Sequence, residues 1–219
     1  MSPTRENACT TVAIVGGTGS GKTTLSSALA AQLGERCAVI DHDSYYRDLS
    51  HLLPAARAAV NFDHPDSLEN SLLVDHLHPL RAGRSIDKPT YCFATHTRKP
   101  ERKWVEPKPV VIVEGILLLA LPELRNAFDL KVFVDVDDDV RALRRLRRDV
   151  SERGRTVDSV VAQWLQTVRP MHERFVAPSR RSADLVISGE APTHQSVARV
   201  LTQIEALVAA PSLASMPKT

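Results

Sequence analysis

Residues 16–23 read GGTGSGKT and match G-x-x-x-x-G-K-[ST]; before them runs TVAIVGG at 11–17, and after them a helical stretch from about 22 to 33. A β-branched run ending in glycines predicts a buried strand. Leu25, Leu29 and Leu33 recur at helical spacing, and Gly34 falls where a C-cap belongs. That strand–loop–helix context turns the pattern into a phosphate site. The backbone of Gly16, Gly17, Thr18, Gly19, Ser20 and Gly21 can wrap a phosphate with its N–H groups inward, and the helix N-terminus adds partial positive charge. Lys22 reaches the β- and γ-phosphates, the Thr23 hydroxyl is placed to ligate Mg²⁺, and Thr24 completes the opening turn.

The rest of the chain alternates in the same way. CAVID (37–41), PVVIVEG (109–115), KVFVDV (131–136) and ADLVIS (183–188) read as further strands, with helical segments near 69–82, 138–151, 157–168 and 193–208. Short apolar strands separated by helices predict an α/β fold, a parallel sheet with helices on both faces. One domain over 1–219 accommodates them all. Residues 84–108 break the rhythm with Pro89, Pro100 and Pro107 and read as a β-hairpin insert. The polar tail at 210–219 is expected to be disordered.

Composition narrows the class. Net charge is only +2, so basic residues are balanced by acids and nucleic acid is not an expected partner. Cys9, Cys37 and Cys92 are odd in number and form no CxxC, which argues against a disulfide framework or structural zinc and suits a reducing cytoplasm. The opening residues carry no apolar signal core, and VVIVEGILLLALP at 110–122 is too short for a membrane span and contains Glu114. The expectation is a cytoplasmic protein without a membrane partner.

Several polar residues fall where the strands end. Glu114 closes VVIVE and is read as the second Mg²⁺ ligand, since ligands gather at the C-terminal ends of parallel strands. Asp41 and Asp43 in DHDSYY follow the second strand, and either can accept a proton from a substrate hydroxyl; position favours Asp43. Asp63 in NFDHPD can hold a sugar diol or serve a turn. Tyr91, Phe93 and His96 can wall a flat base or simply pack the hairpin.

Half of RRLRRDVSERGR, 144–155, is arginine. On a helix, Val140, Leu143, Leu146 and Val150 mark an apolar face, and Arg141, Arg144, Arg145 and Arg148 fall largely off it. Gly154 then breaks the helix and leaves Arg153 and Arg155 beside a flexible joint, as a lid over a phosphate requires. The strip has no interleaved aromatics, against a nucleic-acid groove.

At this point the chain resembles the uridine kinase (uridine–cytidine kinase) family of P-loop nucleoside kinases. The resemblance runs from about 12 to 188 and is carried by GGTGSGKTT, DSYY, NFDHPDS, YCFATHTR, VVIVEGIL, FVDVDDDVR, RRDVSERGR and VRPMHERFVAPSRRSADLVI in order. It implies that Asp43 is the general base toward a nucleoside 5′-hydroxyl and that Asp63 binds the ribose hydroxyls. It implies that Tyr91, Phe93 and His96 line the base pocket and that Arg145, Arg155 and Gln163 contact the nucleoside. Lys22, Arg148 and Arg153 would act on the transferred phosphate, the last two from a helical lid over about 144–170. Thr23 and Glu114 would serve Mg²⁺. It further implies ATP or GTP as donor, UMP or CMP as product in pyrimidine salvage, and a homotetramer. Two positions depart from the family pattern: Tyr45 replaces the usual Phe of D-S-F-Y, and Cys92 lies between Tyr91 and Phe93. The alternative is a related small-molecule kinase such as phosphoribulokinase or pantothenate kinase.

Overall fold

The computed structural model describes residues 9–209, so the tail expected to be disordered lies outside the described residues. The strands in chain order are β1 (Thr10–Val15), β2 (Cys37–Asp41), β3 (Ile86–Lys88), β4 (Tyr91–Cys92), β5 (Thr97–Arg98), β6 (Lys103–Val105), β7 (Val110–Gly115), β8 (Leu130–Asp135) and β9 (Leu185–Ser188). Five of them form one parallel sheet in the order β2-β7-β1-β8-β9. All six residues of the central strand β1 are buried, as a strand covered on both faces requires.

Alternation along the strands divides the core in two. On one side Val12, Ile14, Ile112, Val132 and Val134 meet Leu25, Leu29 and Leu33 of α1 (Lys22–Leu33), together with Val197, Val200 and Ile204 of the helix Thr193–Ala209. On the other, Ala13, Val15, Val111, Val113 and Phe133 share a cluster with Leu73, Leu77 and Leu80, the buried face of the helix Asn70–Arg81. Each fully buried leucine contributes roughly 1.5–3 kcal/mol of transfer free energy. The strand positions anticipated from the sequence agree with these to within two residues at either end.

The insert is two nested hairpins rather than one. β3 pairs antiparallel with β6, and the shorter β4 pairs with β5 inside it. A second difference lies beyond the helix Val157–Gln163. The helical run expected to stop near 168 continues to Ser182, with wide i→i+5 turns at Trp164–Val168 and His172–Val176. Pro170 and Pro178 lie in the short segments Arg169–Met171 and Ala177–Ser179 that follow those turns. A proline lacks the N–H for the bond four residues back and its ring crowds that carbonyl; a widened turn accommodates both, so the prolines did not end the helix.

The helix Asp138–Arg153 overturns the expected polarity. Leu143 is 67% exposed and Val150 is 38% exposed, whereas Arg141, Arg145 and Asp149 are buried. This helix packs over the phosphate loop instead of the apolar core. A loop of backbone carbonyls and hydroxyls supplies partners for guanidinium groups and none for leucine, so the charged stripe turns inward.

Candidate active site

The phosphate loop leaves β1 at Val15 and enters α1 through Gly21, whose φ of 94° is left-handed and whose side supplies no cap to the helix. The first-turn N–H groups therefore carry no side-chain cap and remain free to meet an anion. Gly19 has φ 81°, and a Cβ there would lie 2.5 Å from the Arg141 carbonyl oxygen. Arg141 backs the loop. Its Nη1 donates to the Thr18 carbonyl at 3.4 Å, its Nε to Val136 O at 3.2 Å, Asp138 takes Nη2, and the Trp164 ring lies 5.4 Å from the guanidinium carbon. The sequence placed Arg141 off the apolar face of its helix and gave no sign of this contact.

β7 lies between β1 and β2, with Glu114 opposite Ile14 on one side and Asp41 on the other. That register sets an acidic group beside the loop. Thr23 Oγ1 donates to Glu114 Oε1 at 3.3 Å. Lys22 and Asp43 complete the cluster. Burial lowers the Lys22 pKa, and Glu114 and Asp43 oppose that shift. Burial pushes the Asp43 carboxyl up to about 6; Glu114 and Asp41 add to the rise, while Lys22 and Arg153 counter it. Asp41 is engaged elsewhere: Lys88 Nζ donates to its Oδ1 at 2.8 Å, and Ser44 Oγ donates to Oδ2. Burial raises the Asp41 pKa, but the Lys88 and Ser44 hydrogen bonds outweigh it and leave the group below its ordinary value.

Thr23 and Glu114 test well as magnesium ligands. Both are hard oxygen donors, and both stand at the loop. Among the described residues no group of three or more His, Cys, Asp or Glu forms a metal cage. Mg²⁺ commonly takes one or two protein oxygens and shares the rest with waters and phosphate, which a hydroxyl and a carboxylate 3.3 Å apart can supply.

Asp63 is buried opposite this cluster. Thr167 Oγ1 donates to its Oδ2 at 3.3 Å; burial raises its pKa and the charge of Arg145 pulls it back. Nearby rings form a continuous wall. Phe62 and His96 stack with centroids 4.7 Å apart at 20°, Tyr46 meets both Phe62 and Tyr91 at 5.3 Å, and Tyr91 meets Phe93 edge-on at 5.5 Å. Tyr91 is buried, while Phe93 is 57% exposed and stands at the rim. His96 holds φ at 53°, left-handed for a residue with a side chain. Burial and then the charge of Arg57 lower its pKa, which keeps the ring neutral near pH 7. Tyr46 and Phe62 received no role from the sequence, because an aromatic in a loop has no periodicity to mark the side it faces. The two departures are accommodated: the Tyr45 hydroxyl lies 2.9 Å from His76 Nδ1, and Cys92 is only partly exposed.

The arginines of the helix Asp138–Arg153 and the turn after it reach toward both sides. Arg145 donates to Thr18 Oγ1 at 3.1 Å and to Gln163 Oε1 at 2.8 Å, and Arg155 donates to the same Gln163 oxygen. Arg148 and Arg153 line an open cleft of about 500 Å³ with Gly19–Thr24 of the loop and Gly189, Ala191 and Thr193 from beyond β9. Asp149, fully buried, carries ion pairs to Arg145, Arg148, Arg153 and Arg155.

A glycine-rich loop at the head of a parallel sheet, a lysine and paired carboxylates beneath an arginine-bearing helix define the P-loop kinase class. Within that class, the model for the Phosphoribulokinase / Uridine kinase family matches residues 11–195, and the chain belongs to that family. It is 50% identical over 200 residues to a uridine kinase of Chloroflexus aurantiacus, covering 91% of this chain and 96% of that protein. It is 50% identical over 177 residues to a uridine kinase of Clostridium perfringens, covering 80% and 85%. Among solved structures, D-glycerate 3-kinase from Cryptococcus neoformans superposes with a TM-score of 0.62 at 17% identity, over 87% of this chain and 90% of that one. Phosphoribulokinase from Rhodobacter spheroides gives 0.59 at 14% identity, over 84% and 71%. These two likenesses establish the fold.

Proposed function

We propose that this protein is a uridine kinase, transferring the γ-phosphoryl group of ATP or GTP to the 5′-hydroxyl of uridine or cytidine to give UMP or CMP. The observation that carries the reading is the 50% identity to uridine kinases across nearly the whole chain. The site geometry supports it: a carboxylate of raised pKa, Asp43, lies between a phosphate loop and a pocket of aromatic rings with Asp63 at its side.

Asp43 accepts the hydroxyl proton. The freed oxygen pair forms the new O–P bond as the bond from phosphorus to the β-phosphate oxygen breaks. A carboxyl titrating near 6 is ionised at neutral pH yet more basic than an ordinary aspartate, which favours proton acceptance. Lys22, Arg148 and Arg153 meet the charge on the phosphoryl oxygens and on the leaving group. The backbone of Gly16, Gly17, Thr18, Gly19, Ser20 and Gly21 and the opening residues of α1 hold the donor's remaining phosphates. Thr23 and Glu114 would hold Mg²⁺, which would neutralise phosphate charge. Asp63 accepts from the ribose diol, Arg145, Arg155 and Gln163 close over the nucleoside, and Tyr91, Phe93 and His96 line the base pocket.

The chain acts as one domain whose lid, about 144–170, closes to exclude water. The three unpaired cysteines suit the cytoplasm, and among the described residues no helix is long and apolar enough to cross a membrane. Assembly as a homotetramer follows the family resemblance alone, and a mass measurement in solution tests it. Pyrimidine salvage is the setting this product implies. The phosphoribulokinase alternative is not favoured, since the relatives matched at 50% identity over most of the chain are uridine kinases.

Initial rates of ADP formation test the reading. With ATP and Mg²⁺, uridine or cytidine must stimulate turnover while adenosine, ribulose 5-phosphate and pantothenate do not. Rates that rise only with a non-nucleoside overturn it.

A further inference from the structure

Asp149 is the one residue of the lid that touches arginines assigned to both substrates, and it does so with different atoms. Its Oδ1 takes Arg148 Nε at 2.9 Å and Nη2 at 2.8 Å, with Arg153 Nη1 at 3.4 Å. Its Oδ2 faces Arg155 Nη1 at 3.4 Å and Arg145 Nε at 3.5 Å. The first pair lines the phosphate cleft; the second pair holds Gln163 on the acceptor side. The backbone reinforces the arrangement. Gly154, left-handed at φ 63°, and Arg155 both donate their N–H to the Asp149 carbonyl, which turns Arg153 and Arg155 back toward the carboxylate.

Charge explains why a carboxylate belongs there. Four guanidinium groups about one anion leave positive charge in excess, ready for a polyanion, and without that anion they repel one another. Arg145 is held below its ordinary pKa by burial and by Arg148 and Arg155, with Asp149 and Asp63 opposing. Asp149 is itself fully buried, so its position is set by packing and the arginines take theirs from it.

We propose that Asp149 is a positioning residue that fixes the phosphate-facing arginines to the nucleoside-facing arginines through opposite oxygens of one carboxylate, so that the two halves of the lid close as a unit. The inference rests on the kinase reading above for the identity of the two halves.

The test is a double-mutant cycle of Asp149→Asn with Arg153→Ala. Each single change is expected to lower kcat/KM by on the order of 10²-fold, the usual scale for losing one phosphate-facing charge. Because Arg153 is already misplaced when Asp149 is neutral, adding Arg153→Ala to D149N costs less than about 3-fold more. A merely structural role for Asp149 gives losses that multiply, and that result overturns the proposal. The Kd of a non-hydrolysable ATP analogue is expected to weaken about 10-fold in folded D149N, following loss of preorganised charge; an unchanged Kd also overturns it. If wild-type protein shows no turnover with uridine, the proposed function fails, while the analogue Kd still reads the hub. Should D149N not fold, Arg153→Ala and Arg155→Ala are combined instead with Asp149 in place. Their kcat/KM losses must then be less than multiplicative, and independent losses overturn the link.

Discussion

Lys88 Nζ lies 2.8 Å from Asp41 Oδ1 and is itself 3% exposed, so Asp41 serves as the counterion of a buried ammonium while Asp43, two residues on, faces Lys22 and Glu114. The pair separates two carboxylates that the sequence offered for one role. Asp43→Asn is expected to lower kcat by about 10²–10⁴-fold, the range for losing a general base, while the melting temperature at neutral pH holds or rises, because the neutral amide is free of the burial cost of the ionised carboxylate. Asp41→Asn is expected to act through stability. Stranding the buried Lys88 costs on the order of 1–3 kcal/mol, discounted because the Asp41 side chain is 48% exposed. Steady-state kinetics beside thermal melts separate the two; Asp43→Asn with near-normal kcat overturns the base assignment.

The pH profile follows from the same carboxyl. Asp43 must be ionised to accept a proton, so kcat/KM is expected to rise through about pH 6 and level above it. Its stability contribution runs the other way. The folded state holds this proton more tightly than an ordinary aspartate with its pKa of 3.8, so that contribution is fully present below 3.8 and lost as pH rises to about 6. A rate limb lying at pH 4 instead would place the base elsewhere.

Thr23→Ala removes a hydroxyl beside the phosphate loop, and Glu114→Gln replaces the charged carboxylate at the end of β7 with a neutral amide. The Mg²⁺ concentration for half-maximal velocity is expected to rise about 10-fold in either variant, and chelation by EDTA to stop turnover in all. A Mg²⁺ titration at saturating ATP reads this directly, and identical titration curves for wild type and both variants refute the assignment.

Gly19→Ala sets a Cβ 2.5 Å from the Arg141 carbonyl at a φ of 81°. Strain of about 1–3 kcal/mol is expected, along with weaker ATP binding as the loop moves off Arg141. Calorimetric binding and a melting curve measure both.

His96 carries its left-handed backbone at a cost of roughly 1–2 kcal/mol. His96→Gly relieves that strain and His96→Ala does not, yet both remove the ring stacked on Phe62. Both are expected to raise the nucleoside KM and blunt the choice among nucleobases, with only His96→Gly regaining stability. Unchanged base preference in both variants removes the hairpin tip from the base pocket.

Much of this molecule was legible in one dimension. The parallel sheet, its covering helices and the phosphate loop came from apolar period and from glycine spacing, because those patterns answer to local geometry and burial alone. Gly34 closes α1 where the leucine spacing ends, donating its N–H to Ala30 O. The helix 138–153 was found, but its buried face was read backwards. Leu143 and Val150 are apolar by nature, and only the neighbour across the helix decides that Arg141, Arg145 and Asp149 turn inward.

The sequence by itself determined the succession of strands and helices along the chain, the glycine-rich phosphate loop, and the family, through motifs in fixed succession. Position favoured Asp43 over Asp41, but only tertiary structure showed why Asp41 is engaged, since Lys88 reaches it from 47 residues away. Tertiary structure alone decided the ring wall that joins Phe62 to His96, and the carboxylate on which four arginines converge. The reason is physical: periodicity records what a segment does to itself, whereas charge pairing and stacking depend on groups that only folding brings within a few ångströms.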